Sequence, residues 1–180
     1  MKLRDWLNNN SAIVTIGAVV LLIGALFAII MQMSGGSTGP RVIDVYFYDL
    51  NKNELFTAKS DAIPPIDTDS GATPQGAPAG VRAYVFACND CGDENDRFIG
   101  WLEMYTPEAK ALLTQPAADD PEKAAEREMR MYEVWETGQL IRGVNDARWV
   151  PQNSQEAMTI TSQIETKCPG GAPKPCLPGR

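Results

Sequence analysis

AIVTIGAVVLLIGALFAIIM, residues Ala12–Met31, is the stretch on which the rest of the chain depends. It contains no charged residue, and only Thr15, Gly17 and Gly24 fall outside the apolar set. As a helix rising about 1.5 Å per residue it is about 30 Å long, the thickness of a bilayer's hydrocarbon core. A helix also satisfies every backbone amide internally, as lipid requires. A buried core helix fits less well, because the run is apolar all round and no charge occurs from Trp6 to Pro40. A cleaved secretory signal also fits less well: the run exceeds the usual apolar region of about 7–15 residues. Met31-Gln32-Met33-Ser34 offers no small-x-small cleavage site, and no Cys sits there for a lipid anchor. The reading is an uncleaved signal anchor, with a short cytoplasmic head over 1–11 and a transmembrane helix over 12–33.

Orientation follows from the flanking charge. Lys2, Arg4 and the terminal amine lie close to the span on one side; Arg41 and Lys52 lie farther off on the other. Positive charge favours the cytoplasm, so the amino terminus is expected inside and the following domain outside the cytoplasm. Trp6 sits where an interfacial anchor would. The lipid bilayer is thus the first partner expected. Gly24 and Ala28, spaced small-xxx-small, permit weak homo-oligomerisation through the span.

The chain has 180 residues and a net charge of −7. Beyond the span, 14 basic residues face 22 acidic ones, giving −8. Such a domain repels phosphate backbones, so no nucleic acid partner is expected. Histidine is absent. This removes Ser-His-Asp triads, Cys-His dyads and His-containing zinc sites together.

The remaining chain reads as a small α+β domain with an antiparallel sheet and several helices. Residues 34–40 (SGGSTGP) form a flexible linker by composition. The domain covers 41–167, and a Cys/Pro/Gly-rich tail over 168–180 packs against it. Val42–Tyr48 and Glu54–Ala58 pattern as a β-hairpin around Asp49–Asn53. Ile43, Val45 and Phe47 look like its core face, with Tyr46 and Tyr48 opposite. Residues 60–80 are Pro/Gly/Ala-rich and read as a long mobile loop. Asp67-Thr68-Asp69-Ser70-Gly71 fails the calcium-loop pattern, because Gly comes one position early and the closing Glu is missing. Val81–Ala87 is a strand with Val81, Ala83, Val85 and Ala87 on one side.

Phe98, Trp101, Leu102 and Tyr105 have helical spacing and predict a helix over Glu94–Tyr105. Thr106-Pro107-Glu108 and Asp120-Pro121-Glu122 are helix starts, each with a capping side chain followed by Pro at the first position. The second leads a charged helix to about Thr137. Its stripe of Ala125, Met129, Tyr132 and Trp135 is expected to face the core. Gln139–Arg142 and Arg148–Val150 suggest another hairpin, and Ser154 caps a last helix.

The four cysteines carry the only recognisable chemical spacing. Cys88-x-x-Cys91-Gly92 resembles the knuckle of rubredoxins and zinc ribbons, in which two thiolates meet one metal. Cys168 and Cys176 depart from that pattern, being eight positions apart and following a helix. A structural zinc site on Cys88, Cys91, Cys168 and Cys176 is one reading. Structural disulfides are the other, if the domain faces an oxidising compartment. A redox-active pair at Cys88 and Cys91 is a third. It lacks a βαβ context, and Asp90, Asp93, Glu94 and Asp96 would raise a thiol's pKa. Those four acidic residues suit a solvated helix start better than a calcium site.

Several phrases carry a wider likeness: Tyr46-Phe47-Tyr48-Asp49-Leu50-Asn51, the run from Gly80 to Cys88, Tyr105-Thr106-Pro107-Glu108-Ala109-Lys110, and Trp149-Val150-Pro151. With the anchor-plus-domain layout, they resemble single-span membrane-anchored proteins of planctomycete bacteria. The resemblance covers most of the chain. It implies a bacterial envelope setting and brings no activity or site residues. No catalytic constellation is visible, so the expected role is a non-catalytic interaction or scaffold module with a protein partner. Zinc is the only cofactor the residues suggest.

Overall fold

The computed structural model describes residues 11–34, 41–116 and 120–179. The expected head and Trp6, and the linker from residue 35 on, lie outside these residues. The chain divides into two units, Met1–Arg41 and Val42–Arg180.

In the first unit, α1 (Ser11–Ser34) is one helix of 24 residues with no acidic residue in its first turn and no basic one in its last. Its side chains are described for 19–29 and 31 only, and all of these are exposed. Leu21 and Leu22 are 75% and 70% exposed. Among the described residues, no helix is long and apolar enough to cross a membrane. The expected span extends beyond the side chains that are described.

The second unit is an α+β domain. Its strands are β1 (Asp44–Asp49), β2 (Glu54–Lys59), β3 (Gly80–Ala87), β4 (Arg97–Tyr105), β5 (Gln139–Arg142), β6 (Val150–Pro151) and β7 (Lys174–Pro175). They form one seven-stranded antiparallel sheet in the order β2-β1-β3-β4-β5-β6. β1 pairs with the first half of β3, through Gly80–Arg82. β7, from the tail, pairs with the far end of the same strand, at Phe86 and Ala87. The tail therefore satisfies backbone groups that β1 leaves open.

The helices begin where the caps predict. Thr106 Oγ1 accepts from Ala109 N at the start of α2 (Pro107–Thr114). Asp120 Oδ1 accepts from Glu122 N and Lys123 N at α3 (Pro121–Thr137). Ser154 Oγ accepts from Ala157 N at α4 (Gln155–Ser162), which continues as a 3₁₀ turn over Gln163–Lys167.

Both faces of the sheet are covered. One carries Tyr46, Tyr48, Val81, Ala83, Val85, Ala87 and Leu102, packed with Cys176. The hairpin expectation is corrected here: the tyrosine side is core, while Ile43 and Val45 are only half-buried. Phe47 is fully buried on the opposite face. That face also carries Tyr84, Phe86 and Trp101, and α4 covers it through Ala157 and Ile160.

The segment predicted as a helix over Glu94–Tyr105 is strand β4 from Arg97 onward. Its pairing with β3 shifts register, so that Tyr84 faces Trp101 while Val85 faces Ile99. Gly100 is the extra residue of a β-bulge. A Cβ there would lie 2.7 Å from Phe86 Cε2 and 2.9 Å from Ile164 Cγ2, so only glycine fits. The bulge puts Phe98 and Trp101 on one face although they are three apart. That spacing imitates a helix.

The loop 60–80 holds a definite set of contacts. Ile66 bridges to Gly80 and Ala72 to Pro78. Asn51 Nδ2 donates to the carbonyls of Gly71 and Ala72, both at 3.2 Å. Ser70 Oγ donates to the buried Asp49 carboxylate at 2.8 Å. Asp49 also accepts from the backbone N–H groups of Asn51 and Lys52.

Candidate functional site: the cysteine corner and the outward face of α3

The cysteine corner forms where β3 ends. Cys88 and Cys91 leave the strand in a turn, and the tail returns beside them as β7, with Cys176 N donating to Val85 O at 2.8 Å. This brings each thiol of the turn next to one thiol of the tail. Cys88 is bonded to Cys168, and Cys91 to Cys176, with Cα–Cα separations of 5.2 Å and 5.4 Å. The zinc expectation required free thiolates at Cys88, Cys91, Cys168 and Cys176, and here all four sulfurs are engaged in S–S bonds. Among the described residues, no group of three or more His, Cys, Asp or Glu side chains is placed to hold a metal ion. The redox reading changes too. Cys88 and Cys91 belong to different bridges, so there is no Cys88–Cys91 disulfide to exchange.

The acidic residues of this corner organise its backbone. Asp96 Oδ2 accepts from the backbone N–H groups of Asn89 at 2.6 Å and Asp90 at 2.8 Å. These bonds, Asp90's first, hold the Asp96 carboxyl below its ordinary pKa. Asp90 Oδ1 accepts from Gly92 N, and Asp93 Oδ1 from Asn95 N. These are Asx turns, in which the side chain takes up an N–H the turn would otherwise waste. Arg97 ties the turn to the sheet: Nε donates to Cys91 O at 2.7 Å and Nη1 to Tyr46 Oη at 3.1 Å. Lys174 Nζ donates to Asn89 O at 3.0 Å, adding a contact from the tail.

A second polar group lies on the helix-covered face. Glu103 is buried, and its Oε2 accepts from Tyr84 Oη at 2.8 Å and Gln139 Nε2 at 3.0 Å. Burial, then the Glu103 charge, pushes the Tyr84 phenol above its ordinary pKa. The tyrosine therefore stays protonated as a donor. These neutral donors satisfy the buried carboxylate.

The feature the sequence misplaced is α3. Its stripe of Met129, Tyr132 and Trp135 was expected to face the core. These side chains are 69%, 65% and 73% exposed. The side turned toward the domain carries Arg127, Met131 and Val134, each half-buried. Arg127 Nη2 donates to Leu112 O and Gln115 O, carbonyls at the end of α2. Leu112 O also accepts from the C-cap Gln115 N, and a cation suits the negative end of a helix. Arg127 thus sets the rotation of α3 and turns its largest apolar side chains outward. Tyr132 and Trp135 border a groove with Gln139, Gln152 and Asn153. The amphipathic period was visible in sequence. The arginine contact that decides which stripe faces inward was not.

No family model, curated protein or solved structure matches this chain.

Proposed function

We propose that this chain is a single-span membrane-anchored protein whose extracytoplasmic domain is a non-catalytic interaction module. The anchor is the uncharged segment 12–33, with the amino terminus in the cytoplasm. Two disulfides support the placement of the domain, since such bonds persist in oxidising compartments. The same setting agrees with the resemblance to planctomycete envelope proteins.

The outward apolar stripe of α3 carries the reading of the domain as an interaction module. Three large side chains exposed on one helix face make an apolar patch that water covers at a cost, and such patches mark interaction surfaces. The helix holds five glutamates against Lys123, Arg127 and Arg130, and Arg127 is turned toward α2. The stripe is therefore rimmed by negative charge. Its occupant is a segment of a partner protein with apolar anchors and a basic rim. A second copy of this acidic domain, or an anionic lipid surface, would be repelled.

The test is a photo-cross-linking residue at position 132 in the membrane-embedded chain, with position 158 as an exposed control. The expected result is a cross-link to a second protein from 132, absent from 158, and lost on Glu128→Lys with Glu136→Lys. Cross-links only to lipid or to the chain's own copy would overturn the reading. A carboxy-terminal alkaline phosphatase fusion tests the orientation, and an inactive, stable fusion would reverse it.

A further inference from the structure

The tyrosine-bearing face of the sheet has an opening at one end. There Thr73, Pro74 and Pro78 of the loop meet Leu50, Met104, Arg142 and Trp149 around a hollow. Between them is a cavity of about 430 Å³. That is within the range of small-molecule sites, which are largely apolar with a few placed polar groups. Leu50, Met104, Pro74, Pro78 and Trp149 provide apolar walls.

Arg142 is the one charged group in this lining. Its guanidinium lies over the Trp149 ring, 4.9 Å from the centroid. Its Nη1 donates to Asp146 O. Its Nε is sealed from solvent with no partner. Among the described residues, Nη2 has no hydrogen-bond partner, and Arg142 forms no ion pair. Asp146 directs Oδ2 to Gly143 N at 3.0 Å. Burial lowers the Arg142 pKa and outweighs the opposing influence of Tyr48 and Asp146. A half-buried guanidinium with a free edge beside an apolar hollow is an anion subsite.

We propose that this cavity binds a small organic monoanion, a carboxylate on an apolar or aromatic body. The carboxylate takes the free Nη2 edge of Arg142. The body fills the space between Trp149 and Met104 on one side and Pro74 and Pro78 on the other. A single guanidinium inside a domain of net charge −8 suits one negative charge better than two. None of the lining residues belongs to α3, so this site stands apart from the interaction face.

The test uses the full chain in a non-ionic detergent, with phenylacetate and its neutral isostere 2-phenylacetamide as probes. The readout is the Trp149 indole N–H signal. Phenylacetate should shift it saturably and bind at least about tenfold more tightly than the amide, the factor expected of a charge-assisted hydrogen bond. Arg142→Gln should bring the two within about twofold of each other. Ala77→Phe, on the exposed rim of the loop, should block phenylacetate while leaving Arg142 in place. The inference is overturned if acid and amide bind alike or if neither moves the Trp149 signal. It is equally overturned if Arg142→Gln keeps the preference for the acid, or if Ala77→Phe binds as the parent does.

Discussion

Removing one disulfide should cost less than half of what removing both costs, because the two bridges share most of their loop. Cys88–Cys168 closes 80 residues and Cys91–Cys176 closes 85. In the chain-entropy model a first bridge of that span contributes about 4.5 kcal/mol. Once one is closed, the other spans only the three steps from Cys88 to Cys91 and the eight from Cys168 to Cys176. A loop of about 11 residues is worth about 3 kcal/mol by the same formula. Either single removal should therefore cost about 3 kcal/mol, and the double removal about 7 kcal/mol. The assay is urea unfolding of the full chain in detergent, comparing Cys88→Ser/Cys168→Ala, Cys91→Ser/Cys176→Ala and the variant lacking all four. Alanine is used in the tail because Cys168 and Cys176 are buried. With a slope of about 2 kcal/mol per molar urea, each single removal should lower the midpoint by about 1.5 M. The variant lacking all four cysteines should sit close to the unfolding threshold, since domains hold only about 5–15 kcal/mol in total. If each single removal costs 4–5 kcal/mol by this scale and the two simply add, the shared-loop argument fails. If each costs under about 1 kcal/mol, the bridges do not constrain the unfolded chain as argued.

Three further outcomes follow from the geometry. Gly100→Ala should destabilise the domain by about 1–3 kcal/mol, because its Cβ would overlap Phe86 and Ile164; thermal unfolding reads this, and an unchanged midpoint would refute the bulge packing. Trp135→Gln should change stability by under about 0.5 kcal/mol, since the ring is exposed; a loss of several kcal/mol would mean that α3 buries this side chain. Asp49 sets a pH dependence. Burial alone would raise its pKa, but hydrogen bonds from Ser70, Thr68, Lys52 and Asn51 outweigh burial and lower it from 3.8 to about 2. A depressed folded-state pKa means stability that is present above about pH 4 and lost as the pH falls through about 2. Asp49→Asn should be less stable at neutral pH and lose less stability over that acid window; equal acid sensitivity in parent and variant would sink the assignment.

Much of the fold was legible locally. Thr106, Asp120 and Ser154 mark three helix starts by chemistry acting within one turn, and all three cap as expected. The alternation of Val81, Ala83, Val85 and Ala87 identifies the buried side of β3. Two errors have physical causes. One extra residue at Gly100 shifted the strand's period, so Phe98 and Trp101 looked helical. In α3 the strongest apolar stripe predicted the wrong face, because Arg127 donates to the Leu112 and Gln115 carbonyls at the end of α2. The anion subsite was not legible at all, since Leu50, Pro74, Met104 and Arg142 meet only when the loop folds across the sheet.

The sequence by itself determined the helix starts, the strands β1, β2, β3, β5 and β6 and the uncharged segment near the amino terminus, because each depends on neighbours a few positions apart. It also restricted the cysteines to metal, redox or disulfide chemistry without choosing among them. Only the tertiary structure decided that choice. β7 returns alongside β3, across a gap of more than 80 residues, and sets each thiol of the turn beside one of the tail. Pairing over such a distance depends on where the chain comes back, and no local spacing encodes that.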